Sequence, residues 1–131
     1  MKTYTDLEQS KKLAEILPLE SADMFYRDNG IDVKLMWEYN APKVENPCWS
    51  LAALFDVLPN EISTGEGWHN KYQIHIRKYN GGDNTTLYQI AYGNNRGSSG
   101  SWHDMINTGE RQNLIDCCVD MILLCKKYKW L

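Results

Sequence analysis

The segment YQIHIRKY at residues 72–79, followed by NGGDN at residues 80–84 and TLYQIAY at residues 86–92, decides the fold. Both flanking segments are rich in β-branched and aromatic residues. Asparagine and glycine between them supply the positive φ angles that a tight turn requires. The pattern predicts a β-hairpin whose first strand places Tyr72, Ile74 and Ile76 on one face and Gln73, His75 and Arg77 on the other.

A second hairpin is predicted upstream. The segments SADMFYR at residues 21–27 and DVKLMWEY at residues 32–39 flank Asp28-Asn29-Gly30, and Asn-Gly favours the same kind of turn. In the second segment an apolar set alternates with a more polar one; the first set is Val33, Leu35, Trp37 and Tyr39, and the second is Lys34, Met36 and Glu38.

Three helices are predicted around these hairpins. Thr5 followed by Glu8 is a capping-box pattern that begins a helix over residues 5–17. Apolar residues at helical spacing predict a second helix over residues 48–58 and a third over about residues 110–128. Residues 60–70 are predicted to be a polar connection, and GNNRGSSGS at residues 93–101 a loop, because glycine, asparagine and serine favour turns.

The order of elements is therefore helix, hairpin, helix, hairpin, helix. Two hairpins most easily form an antiparallel or mixed sheet with helices over one face, which is an α+β fold. A length of 131 residues predicts a single domain over residues 1–131.

Composition and charge exclude several classes of protein. The hydrophobic fraction of 43% and charged fraction of 24% are those of a globular chain. A net charge of -3 with scattered basic residues argues against binding to nucleic acid. No stretch approaches the roughly 20 apolar residues of a membrane span, and the N-terminal MKTYTDLEQSKK lacks the apolar core of a signal peptide. We therefore expect a cytoplasmic protein with no membrane partner and four reduced cysteines.

Three stretches, QSKKLAEILPLESADMFY at residues 9–26, PCWSLAALFDVLPNEI at 47–62 and NLIDCCVDMILLCKKYKWL at 113–131, carry a family resemblance. They resemble a group of small uncharacterised proteins encoded by phages and mobile elements of gut Bacteroidales. The resemblance implies a bacterial or phage cytoplasmic setting and an accessory role, and it transfers no catalytic residue to any position here.

The sequence contains no strong catalytic, cofactor or metal motif. Its three histidines and four cysteines include no CxxC, HxxxH or HExxH spacing, and we predict no metal and no cofactor. Asn46 and Pro47 are expected to cap the second helix, which would put Cys48 in its first turn, where the helix dipole can lower a thiol pKa. A small apolar residue filling that turn is the simpler interpretation of Cys48.

Two Trp-His pairs occupy positions predicted to be loops, Trp68-His69 and Trp102-His103. If both loops lie at one end of the sheet, the four side chains form an aromatic, titratable surface suited to a ligand or a protein. Arg96, in the glycine-rich segment between them, could add an anion contact. The alternative is that each tryptophan folds back to cover an end of the sheet.

Five tryptophans and eight tyrosines are more than a small core easily hides, and both residues are enriched at binding hot spots. The first functional hypothesis is thus a non-enzymatic accessory protein that binds a host or phage protein through Trp68, His69, Arg96, Trp102 and His103. The alternative is a small hydrolase or transferase that uses Cys48 or a loop histidine. A homo-oligomeric module is the third hypothesis.

Overall fold

The computed structural model describes residues 2–27, 30–33, 46–96 and 100–131. The chain divides into two compact units, Met1–Val57 and Leu58–Leu131, and each is described by itself. A single domain over residues 1–131 stays a prediction. The α+β class is confirmed, and the two predicted hairpins belong to two antiparallel sheets rather than to one.

The described part of the first unit contains two α-helices and a three-stranded sheet. The helices are α1 (Leu7–Ala14) and α2 (Leu51–Val57), and the strands are β1 (Met24–Arg27), β2 (Gly30–Val33) and β3 (Pro47–Cys48), in the order β2-β1-β3. A short 3₁₀ helix, Leu19–Ser21, precedes β1. The upstream hairpin is confirmed as β1 and β2. Its turn residues 28–29 and the alternation predicted beyond Val33 lie outside the described residues.

Helix α1 begins one residue later than the capping pattern indicated. Asp6 is the N-cap: its carboxylate accepts a hydrogen bond from the Gln9 N–H at 2.8 Å, and the Gln9 amide oxygen accepts one from the Asp6 N–H. Thr5 is instead fully buried, and its hydroxyl hydrogen-bonds the Ser10 hydroxyl at 2.7 Å. The predicted Thr5–Glu8 capping box is therefore wrong, because an aspartate one residue on offers a stronger acceptor.

Helix α2 also begins later than predicted. Pro47 and Cys48 pair with β1 as the short strand β3, so Asn46 and Pro47 do not cap the helix. The Ser50 hydroxyl accepts a hydrogen bond from the Ala53 N–H at 3.2 Å, which satisfies one of the free donors of the first turn. Pairing between distant segments thus replaced the local helical preference of Cys48.

The described part of the second unit is a four-stranded antiparallel sheet and one α-helix. The strands, in spatial as well as chain order, are β4 (Glu61–Ser63), β5 (Lys71–Asn80), β6 (Thr86–Arg96) and β7 (Ser101–Asn107), and helix α3 is Leu114–Lys127. The predicted central hairpin is confirmed as β5 and β6. The predicted connection at 60–70 contains β4, and the predicted loop at 93–101 contributes residues to β6 and β7. Backbone pairing outweighed the weak strand propensity of those polar residues.

The two faces of this second sheet differ. Helix α3 packs against β6 on one face, where the Cys117 thiol donates a hydrogen bond to the Tyr88 carbonyl at 3.2 Å. Ile90 and Tyr92, which share that face with Tyr88, are fully buried. Burial raises the pKa of the Tyr92 hydroxyl, and the nearby Cys125 adds to the effect. We call this the helix-covered face. The opposite side, named the open face, carries exposed or half-exposed side chains: His75, Arg77, Tyr79, Gln89, Trp102, Asp104 and Asn107.

Among the described residues, no helix combines the length and apolar character needed to cross a membrane.

Candidate functional site

Two aromatic rings from non-adjacent strands meet on the open face. The Trp102 indole from β7 stacks on the His75 imidazole from β5, with ring centroids 3.4 Å apart and planes 5° from parallel. Strand β6 runs between β5 and β7, so the indole reaches across it. The stack therefore joins three strands into one surface.

A β-bulge puts Trp102 on this face. Asn107 lies opposite Ala91, but the ladder shifts register between Tyr92 and Gly93, so that Asp104 rather than Met105 lies opposite Gly93. A strand alternates its side chains between faces, and one extra residue exchanges the two sets. Trp102 and Asp104 therefore share the open face with Asn107.

Gly93 provides the space for the indole. A Cβ atom on Gly93 would lie 2.8 Å from the Trp102 Nε1 and closer still to the His103 carbonyl oxygen. Neither distance is compatible with a real side chain, so only glycine lets Trp102 cross β6 at this position.

An ion pair adjoins the stack. The Arg77 guanidinium donates to the Asp104 carboxylate, with Nη1 and Oδ2 2.8 Å apart, and the Trp102 Nε1 donates to Oδ1 of the same carboxylate at 2.7 Å. The hydrogen bonds from Arg77 and Trp102 lower the pKa of Asp104 to about 2, and those to Asp104 raise the pKa of Arg77. The side chains of Arg77 and Asp104 are only 24% and 23% exposed.

Polar contacts extend this arrangement along the sheet. The Gln89 Oε1 accepts hydrogen bonds from Arg77 Nη1 and from the Tyr79 hydroxyl, both at 3.0 Å. The side chains thus form one connected set, which we call the open-face cluster: His75, Arg77, Tyr79, Gln89, Trp102 and Asp104. Each member holds its neighbour in place, so the surface is organised before any ligand arrives.

The sequence prediction located one member of this cluster. Trp102 is a member, although it lies on β7 and not in a loop. His103 follows it on the strand and pairs with Asn94 on the helix-covered side. The Trp102-His103 pair is thus divided between two faces.

The other predicted residues lie elsewhere in the second unit. Trp68 and His69 belong to a 3₁₀ helix, Trp68–Asn70, where their rings meet edge to face at 5.9 Å and Trp68 is 68% exposed. Arg96 donates through Nη2 to the Tyr72 hydroxyl at 2.8 Å, so its guanidinium is held against that ring. None of these three has a contact with the open-face cluster among those seen in the described residues.

His75, Arg77 and Asp104 were missed as site residues. The alternation of β5 correctly placed His75 and Arg77 on one face, which was the available signal. Nothing in the sequence marked Asp104 as their partner, because its position depends on the bulge.

Cys48 lies in a setting unlike the helix terminus expected for it. The residue is fully buried, and its sulfur lies 3.6 Å from the Thr5 hydroxyl and 3.4 Å from the Thr5 carbonyl oxygen. Burial raises the pKa of this thiol, which favours the unreactive protonated form. All four cysteines are free and buried, and the described residues contain no cluster of side chains able to hold a metal ion.

Comparison with known proteins gave no match, whether to a family model, a curated protein or a solved structure.

The thiols of the native protein should react slowly. At neutral pH we expect Cys48 to be labelled by a thiol reagent at least about 100-fold more slowly than a free cysteine peptide, because burial removes both access and thiolate. Timed labelling with peptide mapping measures this, and the denatured chain, in which all four thiols react, is the control. Labelling of Cys48 at the rate of the free peptide would restore it as a candidate nucleophile.

Gly93→Ala should disrupt the stack. The added methyl group overlaps the Trp102 indole and a backbone carbonyl, so we expect a loss of about 2–3 kcal/mol in the free energy of unfolding. Chemical denaturation measures the loss. Gly82→Ala is a control in the β5–β6 turn, where a methyl group meets no atom within 4 Å but the positive φ costs about 1–2 kcal/mol. An unchanged stability of Gly93→Ala would contradict the close approach of Trp102.

The Arg77–Asp104 pair should make stability depend on acid. The pKa of Asp104 is lower in the folded protein, so its contribution is complete above the unfolded value near 4 and is lost as pH falls through about 2. We expect Asp104→Asn to lower the free energy of unfolding by about 1 kcal/mol at pH 7, allowing for partial solvent screening. The difference from the native protein should shrink as pH falls below about 4 and disappear below about pH 2.

Denaturation curves between pH 2 and 7 measure this effect. Asp83→Asn, which changes an exposed carboxylate in the β5–β6 turn, is the matched control. A difference between native protein and Asp104→Asn that stays constant over this range would rule out the ion pair as its source.

Proposed function

We propose that this is a non-enzymatic accessory protein of a phage or mobile element that binds a host or phage protein through the open-face cluster. The observation that carries the proposal is the connected set of tryptophan, tyrosine, histidine and arginine on an exposed sheet face. Tryptophan, tyrosine and arginine are enriched among the few residues that supply most of the binding energy at protein interfaces.

Preorganisation is the first physical argument. Trp102 is fixed by its stack on His75 and by its hydrogen bond to Asp104, and Tyr79 is fixed by Gln89. Side chains that are already ordered lose little conformational entropy when a partner binds. The cluster therefore offers ordered contact groups at a low entropic cost.

The internal pairing of charge is the second argument. Burying an unpaired charge at an interface costs several kcal/mol, but the guanidinium of Arg77 and the carboxylate of Asp104 already neutralise each other. A partner can therefore cover them without supplying a counter-charge. Such a surface suits a protein partner better than a small ion.

The enzymatic alternative receives less support. Its thiol version requires a reactive Cys48, and that side chain is buried with a raised pKa. Its histidine version has one candidate fewer, because the His75 ring is stacked on Trp102. The phage or mobile-element setting is a separate point, and the family resemblance is what supports it. We therefore place recognition ahead of catalysis.

The test is capture of a partner by the tagged protein from a native host lysate, before and during phage induction. We expect a single stoichiometric protein whose affinity falls at least about tenfold in Trp102→Ala, the loss typical of a central aromatic anchor. Tyr128→Ala is the matched control, because Tyr128 is an aromatic residue that caps the C-terminus of α3 and is 48% exposed. Trp68→Ala tests the alternative surface around Trp68 and His69 that the sequence predicts.

Retention of the partner by Trp102→Ala together with its loss in Trp68→Ala would move the interface away from the open face. Capture of a second copy of the chain, confirmed by its mass in solution, would support the homo-oligomer instead.

A further inference from the structure

Strand β5 has an edge that the rest of the described sheet leaves unpaired. Strand β4 pairs only with residues 71–73 of β5, and one further hydrogen bond joins the Ile74 N–H to the Asn60 carbonyl at 3.2 Å. Residues 75–80 pair with β6 on their other side. In the described part of the chain no strand lies along their outer edge, which is roughly 20 Å long.

The chain leaves this edge at Pro59. Its carbonyl accepts a hydrogen bond from the buried Tyr92 hydroxyl at 2.5 Å, which draws the segment before β4 toward the helix-covered face. Strand β4 begins at Glu61, two residues further on, and so does not extend along the rest of β5.

The hydrogen-bonding groups that remain at the edge can be identified. In an antiparallel ladder, successive residues direct their N–H and C=O groups to opposite sides. The Ile74 N–H points toward β4, and the Gly81 N–H points toward the β6 side, where it bonds the Thr85 carbonyl. Ile76 and Lys78 follow Ile74 by two and four residues. Their backbone N–H and C=O groups therefore point to the same side as those of Ile74, away from β6.

The side chains along this edge are apolar and basic. Ile76 is 48% exposed, an unusual position for a large apolar residue in a strand centre, and Lys78 is exposed two residues further on the same face.

We propose that an extended segment of the partner protein pairs with β5 as an added strand, bonding the backbone of Ile76 and Lys78. The segment carries an apolar residue opposite Ile76 and an acidic residue opposite Lys78, two positions apart. Strand addition at an open edge takes affinity from backbone bonds and specificity from alternate side chains. This inference rests on the proposed function and specifies how the partner is held.

Charge separates this occupant from a second copy of the chain. Two-fold pairing of β5 with itself, with Ile76 opposite Lys78, would bring the Lys78 ammonium groups of both copies to diagonal positions on one face. The segment His75-Ile76-Arg77-Lys78 contains no acid that could offset them. An acidic segment meets no such penalty.

The experiment is a display selection of random nine-residue peptides against the immobilised protein. We expect enrichment of alternating sequences with an apolar residue two positions from an acidic one. The affinity of a selected peptide should fall at least about tenfold in Ile76→Pro, which removes an outward N–H without breaking a β6 bond, and about tenfold in Lys78→Glu. Lys71→Glu, a lysine in the part of β5 already covered by β4, is the control.

The amides provide a second measurement that does not depend on the proline variant folding. Exchange of the Ile76 and Lys78 N–H groups should slow at least about tenfold when a selected peptide is added. The proposal is overturned if no peptide is enriched, if selected peptides bind Lys78→Glu and Ile76→Pro as well as the native protein, or if Ile76→Pro abolishes a dimer of the chain. Loss of the natural partner in Trp102→Ala with no change in Lys78→Glu would reject strand addition and leave the proposed function standing.

Discussion

The one extra residue in β7 determines what the second sheet presents. With an uninterrupted register, Met105 and His103 would share the open face with Asn107, and Trp102 and Asp104 would point to the helix-covered side. The bulge between Tyr92 and Gly93 reverses this, and the absence of a side chain at Gly93 then lets the indole pass over β6. The stack with His75 and the ion pair between Arg77 and Asp104 both follow from that reversal.

Much of the fold could be predicted from local patterns. The hairpin of β5 and β6 was found because apolar alternation and turn residues agree over a long segment, and α3 because its apolar stripe is continuous. The errors occurred where distant pairing outweighed local preference. The sequence around Cys48 predicts the first turn of a helix, but Cys48 pairs with β1 as part of β3. Residues 93–96 are predicted to be a loop, but they pair with β7 as the end of β6. A single sequence contains no information on such pairing.

The candidate site was predictable only in part for the same reason. The Trp-His pair at residues 102–103 pointed to Trp102, and period-two alternation put His75 and Arg77 on one face. Their meeting with Asp104 requires knowledge of a bulge, which leaves no mark in the composition of β7. Trp102 and His103 lie on opposite faces because neighbours on a strand face opposite ways.

The connectivity of the second sheet has a consequence for folding. Its strands pair strictly with their neighbours in the chain, in the order β4-β5-β6-β7, so each pairing closes only a short loop. Low contact order of this kind favours rapid folding. Gly82, Asp83 and Asn84 already adopt positive φ in the central turn, which is therefore a natural place for the first contacts. The open-face cluster spans residues 75–104 alone, so during synthesis its members can come together before α3 has left the ribosome.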